Sequence, residues 1–318
     1  MSSSITVRDC STKWLFWQLS NLQLHLARQG DEMKQLVQIV TDSSCDLPRR
    51  VIEKFKIEVV PLIVRFGTEV YRDGELAVEE FWKKAKELHH PQTSQPSVGA
   101  FEEAFERLIA QGKRVLCVTV TGKHSGTFNA ARLAAQRFGE AVQVVDSLSV
   151  SLGTGLQVLR AAQAALPGCS MQEILALLDD LRARMRLTIV LDTLENLRRG
   201  GRAAVFIGAA DRMAQAFNIK AIVNLVGGQL RLQGAARSFR GGLKRIVRET
   251  EQLRPLEYLA VVHARIPERA EEMADWLAER TGFPREQIWV EETGAVMASH
   301  AGAGVLGVLA VPARVVAG

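Results

Sequence analysis

Arg114-Val115-Leu116-Cys117-Val118-Thr119-Val120-Thr121-Gly122-Lys123-His124-Ser125-Gly126-Thr127 is a strand, a turn and a helix start in succession. The stretch Arg114–Val120 is β-branched and apolar at nearly every position, the pattern of a strand covered on both faces. Leu36–Thr41, Ile57–Val64 and Val142–Val145 share it. Helical patterns separate these runs. Asp46 precedes Leu47-Pro48 as an N-cap with proline in the first turn. Ser97 precedes a helix whose apolar residues Val98, Phe101, Phe105 and Leu108 are spaced three, four, three. Strands alternating with helices predict an α/β fold with a parallel, doubly wound sheet.

Beyond Asp146 the pattern changes. One helix is expected from near Ser149 and another from Ser170 to about Met185, parted by Pro167-Gly168. Thr188–Leu191 is a predicted strand, Glu195–Arg199 a short helix and Gly200-Gly201 a tight turn. Gly227-Gly228 between Ala221–Val226 and Gln229–Gln233 predicts a hairpin with a two-residue glycine turn. Tyr258–His263 and Ile288–Glu292 are strands flanking a helix from Glu268 to Glu279. The expectation is two domains, 33–155 with the parallel sheet and 156–318 with a mixed sheet. Residues 1–32 carry the apolar knot Trp14-Leu15-Phe16-Trp17 but no sustained period, and Met33-Lys34-Gln35 stands directly before the first strand. They are expected to be a disordered or mis-started extension, with Met33 as the natural start.

The bulk properties are those of an ordinary globular protein. The chain has 318 residues, 47% hydrophobic and 24% charged, and no run reaches the ~18 apolar residues of a membrane span. The formal charge of +5 and pI of about 9.2 come from Lys and Arg interspersed with Asp and Glu. This argues against a nucleic-acid partner. Cys10, Cys45, Cys117 and Cys169 form no CxxC pair, and neither they nor the six histidines have metal-ligand spacing. The scatter suits a reducing cytosol and supports no metal site.

Three turns concentrate hydroxyls and small residues: Thr93-Ser94-Gln95-Pro96-Ser97, His124-Ser125-Gly126-Thr127 and Ser299-His300-Ala301-Gly302. The second follows a strand at the carboxyl edge of the predicted sheet, where ligands of such sheets bind. The first two open helices, so N–H groups and hydroxyls could converge there on a small anion. The competing reading of Ser97, Ser125 and Thr127 is simple helix capping. For His300 it is a satisfied structural histidine. Gly302-Ala303-Gly304-Val305-Leu306-Gly307 matches GxGxxG but lacks the following helix, strand and acidic residue of a dinucleotide site. A hydrolytic triad of Ser125 and His300 with Asp42 or Asp146 is conceivable, although Gly122-Lys123-His124-Ser125-Gly126 is out of register for a nucleophile elbow. Arg198-Arg199-Gly200-Gly201-Arg202 gathers positive charge on a loop, which is either solvated or steers an anionic ligand.

Taken together, several segments resemble the DegV family of bacterial fatty-acid-binding proteins. They are Val40-Thr41-Asp42-Ser43-Ser44-Cys45-Asp46-Leu47-Pro48, Val59-Val60-Pro61-Leu62, Tyr71-Arg72-Asp73-Gly74, the turn at 93 to 97, Ser125-Gly126-Thr127, Val145-Asp146-Ser147, Gly200-Gly201-Arg202 and the His300 turn. The resemblance runs from about Gln38 to the C-terminus. It implies one long-chain fatty acid enclosed between two α/β domains, its carboxylate held by Thr93, Ser125 and His300, with Ser94 and Gly126 alongside and Arg202 at the mouth. It further implies a cytoplasmic, non-catalytic protein without a cofactor. Some members present the acid to a separate ATP-dependent fatty acid kinase subunit, which makes an acyl phosphate for phospholipid synthesis, and the same is expected here, with at most transient membrane contact. The alternatives are an acyl-ester hydrolase using Ser125 and His300, and a lipid-sensing regulator. Lys123-His124 before Ser125 departs from the family pattern, where an apolar residue is more usual.

Overall fold

The computed structural model describes residues 37–87, 90–202 and 219–314. The segment 1–32 and the expected start at Met33 lie outside the described residues. β1 (Val37–Asp42) is buried along its whole length and leads through a single 3-10 turn, Ser43–Cys45, toward α1 (Arg49–Lys54). Asp46 does not cap that helix. Pro48 occupies the cap position without a side-chain bond, and Asp46 sits in a left-handed conformation at φ 52° with its carboxylate engaged elsewhere.

The run 57–64 is two strands in two sheets. β2 (Glu58–Val60) pairs with β1 in parallel, then Pro61 interrupts, because proline supplies no N–H to a ladder. β3 (Ile63–Phe66) instead joins β4 (Glu69–Arg72) and, across α2 (Val78–Glu87), β5 (Gln92–Ser94) in a small antiparallel sheet of order β4-β3-β5. β5 carries Thr93 and runs into Ser97, whose Oγ accepts the Ala100 N–H at 3.1 Å and caps α3 (Val98–Ala110). β6 (Arg114–Thr119), α4 (Thr127–Ala135) and β7 (Val142–Asp146) complete the parallel sheet, in the order β2-β1-β6-β7.

Both faces of that sheet are covered, which is why its strands are apolar throughout. On one side Phe101, Phe105, Ala131 and Ala134 of α3 and α4 pack against Val40 and Cys117. On the other lie α5 (Leu152–Ala165) and α6 (Met171–Arg184), whose Val158, Ala162, Ile174 and Leu178 meet Ile39, Leu116 and Val118. Ser170 and Glu173 form the capping box that starts α6. The division expected at 155/156 therefore falls inside α5, and we place the junction between Arg184 and Arg186.

The second half is a six-stranded mixed sheet. Its elements are β8 (Arg186–Leu191), α7 (Glu195–Arg199), β9 (Lys220–Val226), β10 (Gln229–Ala236), α8 (Phe239–Glu251), β11 (Leu256–His263), α9 (Pro267–Thr281), β12 (Trp289–Glu292), α10 (Ala295–Ala301) and β13 (Leu306–Pro312). The order is β10-β9-β8-β13-β11-β12, with β11 and β12 parallel and every other pair antiparallel. Gly227 and Gly228, at φ 56° and 80°, make the expected hairpin turn, a conformation that side chains other than glycine resist.

α8 and α9 cover the outer face of this sheet through Leu243, Ile246, Met273 and Leu277. Its inner face meets the first half directly, Leu187, Leu309 and Val311 packing with Val120, Leu152 and Leu156. Polar ties reinforce the junction. Glu257 takes Arg160 at 3.1 Å and Arg184 at 2.7 Å, while Asp46 accepts Thr293 Oγ1 at 2.6 Å and the Gly294 N–H at 2.9 Å. Asp46 thus anchors the start of α10, the short helix that carries His300 in its last turn.

Candidate functional site

A cavity of about 440 Å³ lies between the halves, within the range of small-ligand sites. Its apolar wall comes from both sides. Leu62, Val120 and Val150 belong to the first half, and Ile189, Leu191, Val223, Leu230, Val296, Met297 and Val305 to the second. The polar residues gather as Thr93, Ser94, Gln95, His124, Ser125, Gly126, Arg202 and His300, with Ser44 as a further hydroxyl. All six residues singled out in the sequence thus line one cavity. Among the described residues, no Asp or Glu lines it.

Thr93 and His300 meet across 207 positions of sequence, Oγ1 to Nε2, at 2.7 Å. Burial, with the nearby charge of Arg202, pushes the His300 pKa down to about 4, so the ring is uncharged at neutral pH. Its Nδ1 is buried without a hydrogen-bond partner. An unpaired lone pair is more tolerable there than an unpaired N–H, which assigns the proton to Nε2. Nε2–H then donates to Thr93 Oγ1, leaving the threonine hydroxyl hydrogen for a ligand.

Ser125 is arranged to the same effect. Its Oγ accepts the Thr127 N–H at 3.2 Å and lies 2.8 Å from Thr127 Oγ1. With Thr127 donating, both serine lone pairs are occupied and its hydrogen is free to donate. The capping expectation for Ser125 and Thr127 is corrected, since Gly126 holds the cap position of α4 without a side-chain bond and Thr127 is the first helical residue. Ser97 does cap, and it is absent from the cavity wall.

The triad geometry is absent. His300 faces Thr93 rather than Ser125, and no acid holds its Nδ1. Asp42 accepts the Val120 N–H at 2.7 Å and the Ser44 N–H at 3.0 Å, and Asp146 accepts the Gly122 N–H at 3.0 Å and the Leu148 N–H at 2.8 Å. Both aspartates hold loops in place. Among the described residues no group of three His, Cys, Asp or Glu side chains could hold a metal ion, and no helix is long and apolar enough to cross a membrane.

Sequence reasoning missed Gln95 and His124 as lining residues. Both flank positions it had chosen, and the surplus of donors in the 93–97 turn was the available signal. The Gln95 amide lies so close over Gly126 that a Cβ there would stand within van der Waals overlap of Oε1. Gly126→Ala is expected to push the exposed Gln95 side chain out of the cavity wall and weaken ligand binding several-fold, with little change in melting temperature. A titration with a fluorescent fatty acid beside a thermal melt checks this; unchanged affinity would remove Gln95 from the site.

The model of the DegV family, described as an uncharacterised protein family, matches residues 36–313. A DegV domain-containing protein of Listeria innocua is 34% identical over 272 residues, covering 84% of this chain and 96% of that protein. The solved structure of a DegV family protein from Thermus thermophilus, described by its fatty acid binding, superposes with a TM-score of 0.80 at 32% identity, covering 87% of this chain and 99% of that one. A stearic acid-binding protein from Eubacterium ventriosum gives 0.77 at 25% identity, covering 87% and 98%. The superposition on DegV structures, the relative of 34% identity and a family match across nearly all described residues lead to one assignment: this chain belongs to the DegV family.

Proposed function

We propose that this protein binds one long-chain fatty acid, with its carboxylate at Thr93, Ser125 and His300 and its tail in the apolar space between the two sheets. The observation that carries the reading is the composition of the cavity wall, where, among the described residues, hydroxyls, two uncharged imidazoles, an amide and one guanidinium face an otherwise apolar space without any acid. A buried carboxylate needs several donors to offset its desolvation. The tail adds roughly 0.8 kcal/mol per buried CH₂, so apolar burial dominates affinity and the polar turns set orientation. The fatty-acid binding of the Thermus and Eubacterium relatives supports this reading.

The site is that of a carrier rather than a hydrolase, since among the described residues no base is hydrogen-bonded to Ser125 and the head group would be held by donors alone. Such a carrier needs no cofactor. It presents the carboxylate to a separate ATP-dependent fatty acid kinase subunit in the cytoplasm for acyl-phosphate formation, with Arg202, half-buried in the cavity wall, meeting the phosphate or that partner. Ser94 and Gly126 border the same head-group end.

Native mass spectrometry of the purified protein tests both steps. A copurifying long-chain acid is expected, and a phosphoryl adduct of that acid is expected after incubation with ATP and the kinase subunit of the same host. An empty protein that takes up no added acid would overturn the carrier reading. A bound acid that is never phosphorylated would overturn the kinase step alone.

A further inference from the structure

The β9–β10 hairpin borders the polar end of the cavity, and its ties to the first half converge on the loop 121–126. Gly228 O accepts Thr121 Oγ1 at 3.0 Å, and the Leu230 N–H donates to His124 Nε2 at 3.1 Å. The His124 carbonyl in turn accepts Arg202 Nε at 3.2 Å. The approach is close at the tip. At Gly228, with φ at 80°, an added Cβ would lie 2.3 Å from Thr121 Oγ1 and 3.3 Å from Lys123 Cγ. Leu230 and His124 both line the cavity, so this clasp sits beside the head group.

A ring nitrogen that accepts an N–H must carry a lone pair. His124 is therefore uncharged, with its proton on Nδ1. Once protonated, the ring would present Nε2–H against the Leu230 N–H, two donors facing one another beside the Arg202 guanidinium. We propose that His124 is the positioning residue that holds the hairpin shut over the head group, and that proton uptake by its ring releases the hairpin and speeds escape of the ligand. The proposal rests on the fatty-acid reading of the cavity.

Basic groups predominate around His124, with the Asp146 carboxylate of β7 held on the Gly122 N–H of the same loop at 3.0 Å. Arg202 approaches from the turn after α7, His300 from α10, and Lys123 is its exposed neighbour in the loop. β10 contributes the Leu230 N–H, with Arg231 directed to the opposite face of the strand. Burial, and after it Arg202, lowers the His124 pKa from its ordinary value. A lowered histidine pKa means that the clasp is complete above pH ~6.5 and weakens as pH falls below it, where an opened ring takes up a proton. One unit below that value the shift in favour of the open form reaches at most about tenfold. His300 titrates in the same sense, so the His124 share must be isolated by substitution.

The test is stopped-flow dissociation of a fluorescent long-chain fatty acid between about pH 7.5 and 5.5, for the wild type, His124→Gln and His124→Leu. The wild-type rate should rise by about tenfold or more on acidification. His124→Gln, which offers an uncharged acceptor at every pH, should lose up to about tenfold of that rise, and His124→Leu, with no acceptor, should already dissociate fast at the upper pH. A glutamine variant with the full rise, or a leucine variant as slow as the wild type, overturns the proposal. The Leu230 amide resonance of ligand-free protein separates the two readings. If it tracks the His124 ring titration, the clasp stands even should no fatty acid bind; if it does not, the clasp fails whatever the cavity holds.

Discussion

Thr93→Ala combined with Ser125→Ala is expected to weaken long-chain fatty-acid binding by about two to four orders of magnitude while the protein stays folded. Each hydroxyl donates to a charged oxygen in a water-poor cavity, and such bonds contribute about 1.5–3 kcal/mol each. Their loss leaves the desolvated carboxylate with the donors of His300, Arg202, Ser94 and Gln95 in the cavity wall. The loss in stability is smaller. Without Thr93 the His300 Nε2 loses its 2.7 Å partner, a cost of about 1–3 kcal/mol against a typical total of roughly 5–15. Ser125 is half-buried in a loop, and its removal frees only the Thr127 N–H and hydroxyl. Thr93→Ser keeps the hydroxyl and should bind within about threefold of wild type. Displacement titrations beside circular-dichroism melts decide the matter. A double variant that binds like the wild type would move the head group to another part of the cavity.

The second large effect concerns Asp46, a residue the sequence assigned to a helix cap. Asp46→Ala should cost about 3–4 kcal/mol of unfolding free energy, because Ser151 Oγ, Thr293 Oγ1 and the Gly294 N–H all lose their acceptor at once. Asp73 also faces the start of α10, through the Val296 N–H. Loosening that helix should speed ligand loss too, since Val296, Met297 and His300 line the cavity.

Asp46→Asn should behave differently. Burial pushes the Asp46 pKa up to about 6, with the charge of Asp42 adding to it. A carboxyl raised in the folded state binds more protons folded than unfolded. Stability therefore rises as pH falls from about 6 toward 4, and the cost of the buried charge is fully present above 6. The asparagine carries no charge, keeps an acceptor for Gly294 and lets the two hydroxyls reverse. It should match or exceed wild-type stability at about pH 7.5, with a shallower profile between pH 4 and 6; the remaining slope belongs to Asp73, which burial also raises to about 6, together with Asp42 and Glu291, which burial likewise raises. Urea unfolding at the two pH values measures this. An alanine variant as stable as the wild type would show that Asp46 anchors nothing.

Asp46 also shows where local pattern misleads. Asp46-Leu47-Pro48 satisfies every short-range rule for a helix start, yet the left-handed turn at Asp46 directs the carboxylate to residues 293 and 294. Ser97 and Ser170, with the same local credentials, do cap their helices. Nothing within a few residues distinguishes the three. The difference is the presence, across the junction, of an N–H and a hydroxyl that need an acceptor, joined by the Ser151 hydroxyl from the same half as Asp46.

The α/β class with a parallel and then a mixed sheet, the helix starts at Ser97 and Ser170 and the Gly227-Gly228 hairpin were legible in the sequence by itself, while Thr93, Ser125 and His300 came from family resemblance. Burial on both faces leaves a continuous apolar run, and helix starts and glycine turns are fixed by backbone groups a few residues apart. Tertiary structure alone decided that Ile57–Val64 divides between two sheets, that α5 and α6 stay with the first half, that Asp46 anchors α10 and that His124 clasps Leu230. Each of these depends on which surfaces meet when distant segments pack, and a local pattern carries no record of its partner. The Thr93–His300 bond is the clearest case, because two ordinary polar turns become a single donor array only when the mixed sheet carries α10 back against β5.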